Sequence, residues 1–204
     1  MASNFGKTIQ VSTFGASHGY AIGGIVEGLP CGHTIDIDEL QAFLKRRAPG
    51  QNQLQTQRKE ADIPEFLSGM VDGMLSGSPL AFMIRNTSQH SGDYNNLRDI
   101  PRPSHADFTA RMRYGDKVDM RGGGHFSARL TAPLCVAGGI ALQLLREKGI
   151  EIHGHLKQVG TIQDTPIDMV HPDMKALAKI ATETIAMVDA DKRPEVENLV
   201  MKLK

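Results

Sequence analysis

Tryptophan is absent from this chain of 204 residues, tyrosine occurs three times and cysteine twice, and the 23 basic residues are cancelled by 23 acidic ones. Cys31 and Cys135 lie far apart and in no Cys-x-x-Cys pattern, which excludes a disulfide framework and a cysteine-rich metal centre. Zero net charge argues against a nucleic-acid-binding domain. The shortage of aromatics also leaves little for stacking on bases. The longest apolar tract, Leu134 to Leu145, is broken by Gly138, Gly139 and Gln143 and is too short to cross a bilayer. Met1 to Val11 has neither the basic start nor the apolar run of a secretory signal. These absences describe a protein of a reducing compartment, most simply the cytoplasm, acting on neither nucleic acid nor membrane.

Lysine is scarce where arginine is not. Ten of the 12 arginines fall between Arg46 and Arg129, with only Lys59 and Lys117 among them. A solvated surface has no reason to choose between the two cations, whereas fixed-angle recognition of carboxylate or phosphate favours the guanidinium fork. The alternative is pairing with the acids of the same stretch: Glu60, Asp62, Glu65, Asp72, Asp93, Asp99, Asp107, Asp116 and Asp119.

Four short blocks carry the chemistry: Gly15-Ala-Ser-His-Gly19, Arg46-Arg-Ala-Pro-Gly-Gln51, Arg102-Pro-Ser-His-Ala-Asp107 and Arg121-Gly-Gly-Gly-His-Phe-Ser-Ala-Arg129. Small residues allow close backbone approach, and histidine exchanges a proton near neutral pH. Arginine grips planar anions through paired hydrogen bonds. His18 and His105, each in a loop of small residues, suit general acid work on a phosphate ester. Gly122 to Gly124 lacks both the P-loop and the GxGxxG spacing, yet could bring amides to an anion. His153-Gly-His155 shares an alternating face with Glu151 and Lys157, opposite Ile150, Ile152 and Leu156. That is a solvated face with no third ligand, so no metal site is expected.

The elements follow from periodicity and punctuation. Strands are expected over 6–13, 22–26, 80–86 and 150–159. Asp36 with Glu39 has capping-box spacing for a helix ending before Pro49. Further helices are expected over 131–148, with Gly149 past its end, and over 173–188 and 194–203. The polar stretch 86–124 reads as irregular and functional. Val196, Leu199, Val200 and Leu203 form an apolar stripe with nothing after it to cover it. One domain over 1–204, incomplete at its C-terminal end, is the simplest parse.

Taken together and in order, the four blocks, with Arg58-Lys-Glu-Ala-Asp62 and Ser68-Gly69, resemble the chorismate synthase family. The resemblance covers Met1 to about Val159. It implies an α+β fold, a sandwich of helices between antiparallel β-sheets, assembled as a homotetramer. It also implies a lyase of aromatic amino acid biosynthesis that converts 5-enolpyruvylshikimate-3-phosphate to chorismate and phosphate. Reduced FMN is the cofactor, with NADPH as a possible flavin reductant. Carried across, His18 assists phosphate departure and His105 attends the reduced flavin. Ser17, Arg47, Arg102, Ser127 and Arg129 hold the substrate, and Arg47, His125, Phe126 and Ser127 contact the cofactor. The family more often has Arg-Ser-Ser where His125-Phe-Ser127 stands, and Gln53 replaces an arginine ascribed to pyridine nucleotide binding. Family members continue well past this length, so the chain alone is expected to be inactive. A non-catalytic anion- or nucleotide-binding module that keeps the fold is the alternative, and an RNA-binding role ranks below it.

Overall fold

Alternating apolar residues build the core sheet. The computed structural model describes residues 3–50, 54, 60–87 and 100–203. Strands β1 (Asn4–Gly6), β2 (Gln10–Gly15), β3 (Ala21–Glu27), β4 (Glu65–Ser68) and, after the two-residue strands β5 (Met70–Val71) and β6 (Met74–Leu75), β7 (Leu80–Arg85) come from one half of the chain. Five of them form an antiparallel sheet ordered β1-β2-β3-β7-β4, and β5 pairs only with β6. The strand expected from residue 6 instead folds back at Gly6, whose φ of 99° lets β1 return along β2. Val11, Ile22, Val26, Leu80, Phe82 and Ile84 are buried on one face.

Helices α1 (Ile37–Arg47), α2 (Asp107–Tyr114) and α3 (Thr131–Arg146) belong to the same unit. Asp36 caps α1 by accepting the Glu39 amide at 2.9 Å, as its spacing predicts. The reciprocal half of the capping box is missing, because Glu39 pairs with Arg146 at 2.7 Å and the Asp36 amide donates to Gln143 at 2.9 Å. Leu40 and Leu44 of α1 meet Ala132, Val136, Ile140 and Leu144 of α3 over the sheet. A Cβ on Gly139 would stand 2.5 Å from Leu40 Cδ1, so glycine sets how closely the two helices approach. Each such buried Leu or Ile contributes about 1.5–3 kcal/mol.

Among the described residues, one helical run, 121–146, is long and apolar enough by length and composition to cross a membrane. This corrects the sequence expectation on length alone. Gly122 to Gly124 have non-helical φ/ψ and break the run, and α3 buries Val136 and Ile140 in the core. Helix α2, within the stretch expected to be irregular, is a second correction.

The single domain expected over 1–204 divides into two compact units, 1–49 with 58–148 and 50–57 with 149–204. In the second unit β8 (Gln158–Val159) and β9 (Ile162–Gln163) make a hairpin, followed by α4 (Met174–Ile180) and α5 (Lys192–Leu203). The strand expected over 150–159 reduces to β8, and Ile150 and Ile152 stay exposed without a partner strand. His155 turns inward to Asp164, at 3.3 Å. Burial pushes the Asp164 carboxyl up, but amides of Asp189, Val188 and Thr165 together with His155 outweigh this and hold it below the usual carboxylate range. The helix expected over 173–188 stops at Ile180, where the Thr182 amide and hydroxyl both turn back to the Lys179 carbonyl. Part of the C-terminal stripe is covered: Val196 is buried with Ile185 and Met187, and Val200 packs on them, while Leu203 stays exposed.

Candidate active site

The turn between β2 and β3 presents Ser17 and His18, both buried. Ser17 is fixed through its amide to the Gly124 carbonyl (3.1 Å) and through its hydroxyl, which donates to the Arg121 carbonyl (3.2 Å). With that proton committed, the Ser17 oxygen accepts from His18 Nδ1 at 3.1 Å. The neutral imidazole therefore carries its proton on Nδ1. Gly122 lies against this ring in the left-handed region (φ 60°, ψ 12°), and a Cβ there would overlap His18. The glycine triplet thus seats the histidine.

His105 has a comparable arrangement in the loop before α2. Its Nδ1 donates to the Pro103 carbonyl at 3.0 Å. Ser104 before it has a positive φ of 61°. Arg102 holds the loop in two directions. Its guanidinium grips Asp107 at 2.8 and 2.9 Å, and Nη2 also donates to the Met120 carbonyl at 3.1 Å. Both histidine loops therefore dock on the adjacent carbonyls of Met120 and Arg121. An aspartate accompanies each histidine. Arg102 hydrogen bonds hold Asp107 below the usual carboxylate range, with a smaller contribution from His105. Arg121 hydrogen bonds do the same for Asp119, with a smaller contribution from His18.

Arg47 and Arg129, expected to hold substrate anions, are engaged by buried acids. Arg129 pairs with Glu60 at 2.6 Å and with Asp62, and Arg47 pairs with the other oxygen of Asp62 at 2.5 Å. A guanidinium as buried as that of Arg129 needs such carboxylates to offset its desolvation. Arg47 also donates to Thr131 Oγ1 (3.2 Å) and the Ala128 carbonyl (3.3 Å). Asn86, unremarked in the sequence, accepts from Arg129 Nε at 3.1 Å and donates to the carbonyls of Ala16 and Gly19. It joins this charged frame to the His18 turn.

Of the residues that resemblance links to a flavin, His125 is committed on both nitrogens. Nδ1 donates to the Gly15 carbonyl (2.7 Å) and Nε2 accepts from Ser3 Oγ (2.6 Å). Phe126 fits an aromatic ligand better. It lines a groove of about 550 Å³ with Phe108, Met112 and Arg113 of α2, its ring 6.2 Å from that of Tyr114. Ser127 Oγ accepts from the Arg129 amide at 3.2 Å and retains its own proton to donate. Of these residues Phe126 lines the groove, whereas Arg47 pairs with Asp62 and His125 is hydrogen bonded on both nitrogens. Gln51, Gln53, Arg58, Lys59, Asp93 and Asp99 lie outside the described residues.

An antiparallel α+β unit in which two histidine-bearing loops dock, through Ser17 and Arg102, on one glycine-rich segment defines a candidate enzyme site. The chorismate synthase family model matches residues 9–204, and this chain belongs to the chorismate synthase family. A chorismate synthase of Lancefieldella parvula is 45% identical over 191 residues, 93% of this chain and 50% of that protein. One from Bacteroides thetaiotaomicron is 44% identical over 204 residues, 100% of this chain and 56% of that protein. A crystal structure of chorismate synthase aligns with a TM-score of 0.68 at 23% identity, covering 97% of this chain and 53% of its own. The α+β fold is therefore that of chorismate synthase, and the chain spans about half the length of the curated relatives it matches.

Proposed function

We propose that this chain supplies the proton-handling part of a lyase site that converts 5-enolpyruvylshikimate-3-phosphate to chorismate. In that reaction the carbon–oxygen bond to phosphate and one ring carbon–hydrogen bond break, a ring double bond forms, and the balance is redox-neutral. The observation that carries the reading is the docking of both histidine loops on the Met120 and Arg121 carbonyls, with each Nδ1 proton committed to a neighbour. His18 Nε2, protonated, hands its proton to the departing phosphate oxygen, and His105 Nε2 is the second proton carrier. Gly122 keeps the His18 ring seated, and Arg102 fixes the second loop through Asp107. Arg47 and Arg129 act as the buried frame. Reduced FMN, if held here, would supply transient electron donation to the substrate with no net redox change. Phe126 and Ser127 are the residues of this chain that would hold it, and NADPH is the candidate reductant.

Membership of the family supports this reading, and with it the cytoplasm as location and a homotetramer as assembly. The test is an anaerobic titration with reduced FMN, with and without 5-enolpyruvylshikimate-3-phosphate. Substrate is expected to tighten flavin binding, and substrate-independent binding would sink the proposal.

A further inference from the structure

Strand β7 pairs with β3 so that Arg85 stands opposite Ala21. The next residue, Asn86, therefore comes beside Tyr20, and its amide donates to the Tyr20 carbonyl at 3.1 Å, extending the ladder by one bond. That register delivers the Asn86 side chain, only 9% exposed, beneath the Gly15–Gly19 turn. Its Nδ2 donates to Ala16 O at 3.0 Å and to Gly19 O at 2.8 Å, the two residues that bracket Ser17 and His18. Its Oδ1 accepts from Arg129 Nε at 3.1 Å. The partners settle the orientation of the amide, since two carbonyls require a donor and a guanidinium requires an acceptor. Aspartate has no donor for the carbonyls, and leucine has neither function.

We propose that Asn86 is a positioning residue for His18. It pins both ends of the turn to the Arg129–Asp62–Arg47 frame, which holds Ser17 Oγ on the Arg121 carbonyl and so keeps the His18 proton on Nδ1. This rests on the proton-transfer role proposed for His18, and it concerns a residue that touches neither substrate nor cofactor.

The test uses the 204-residue chain, isotopically labelled, in solution. In the unaltered protein the Asn86 side-chain amide is expected to show couplings across hydrogen bonds to the carbonyl carbons of Ala16 and Gly19. Their absence overturns the proposal. The His18 imidazole is expected to give the nitrogen shifts of the Nδ1–H tautomer. Asn86→Asp keeps an acceptor for Arg129 but loses the donor, so it separates the two duties of the side chain. Both Asn86→Asp and Asn86→Ala are expected to lose the Nδ1–H signature, whereas its retention in folded Asn86→Asp means that the residue serves Arg129 only and refutes positioning. Should Asn86→Ala fail to fold, the couplings in the unaltered chain and Asn86→Asp decide. Inorganic phosphate is then titrated while His18 is observed. Its midpoint is expected to rise about tenfold in the variants, the scale of one lost hydrogen bond. No response to phosphate in the unaltered chain counts against the proposed function of His18, while a tautomer change in the variants still upholds Asn86 as its positioner.

Discussion

Arg47 and Arg129 grip the two oxygens of one buried carboxylate, Asp62, whose side chain is wholly hidden from solvent. Replacing that acid leaves Arg47 without a carboxylate among the described residues and Arg129 with Glu60 alone. Asp62→Asn is expected to cost about 3–5 kcal/mol, the range for breaking a buried ion pair from one side. Urea unfolding measures it. Arg129→Lys, which keeps the charge but cannot reach Glu60, Asp62 and Asn86 together, is expected to destabilise more than Arg47→Lys. Equal and small effects would show that charge alone is needed.

Gly122 offers a sharper comparison. Gly122→Ala places a Cβ in the left-handed region, at about 1–2 kcal/mol, and also drives it into the His18 ring. Gly115→Ala shares the positive φ (79°) but meets open space. Thermal unfolding is expected to register both, while the nitrogen shifts of His18 move only in the first.

Acid stability tests the Arg102–Asp107 pair. The folded Asp107 carboxyl is held below the usual value of about 3.9 by Arg102. Its contribution is therefore fully present above that value and is lost as pH falls through the lower folded one. Asp107→Asn is expected to flatten the fall in stability on the acid side, read from unfolding midpoints across that window. A parent-like slope in the variant would place the acid sensitivity elsewhere.

Catalysis can be tested where this chain forms the first half of a full-length enzyme. His18→Ala and His105→Ala are each expected to lower turnover by roughly 100-fold or more, the scale of a lost acid–base group. Unchanged turnover in both removes them from the mechanism.

The 204-residue chain by itself, given reduced FMN and substrate without oxygen, is expected to form no chorismate. Its relatives carry about as much sequence again. Chorismate detected by its absorbance would show that one half suffices.

What could be read from the sequence was local. Asp36 and Glu39 announce the start of α1 because the cap spans three residues. His18 and His105 stand out because their neighbours are small. Helix α2 escaped notice because Ala106 provides no side-chain cap and Phe108 and Met112 remain exposed, so no buried stripe marks it. The alternation over 150–159 misled because, among the described residues, only Gln158 and Val159 of it find a partner strand, in β9. Arginine–acid pairing, weighed beside anion binding, is present at Arg47, Arg85, Arg102, Arg121 and Arg129. Which acid meets which arginine was not legible, since Asp62 and Arg129 are 67 positions apart. Asn86 was hidden for the same reason, its turn partners lying 67 and 70 positions away.

The two histidine loops hang on main-chain oxygens, those of Met120 and Arg121. Such an oxygen is present whatever side chain the position bears, so residue 120 is free to drift between lineages without loosening the loop that leans on it. Ser17 and Arg102 have no such freedom, because they reach across with their side chains. A relative could thus differ at 120 and keep the same scaffold, whereas one that changes residue 17 or 102 has to find another way to hold its histidine.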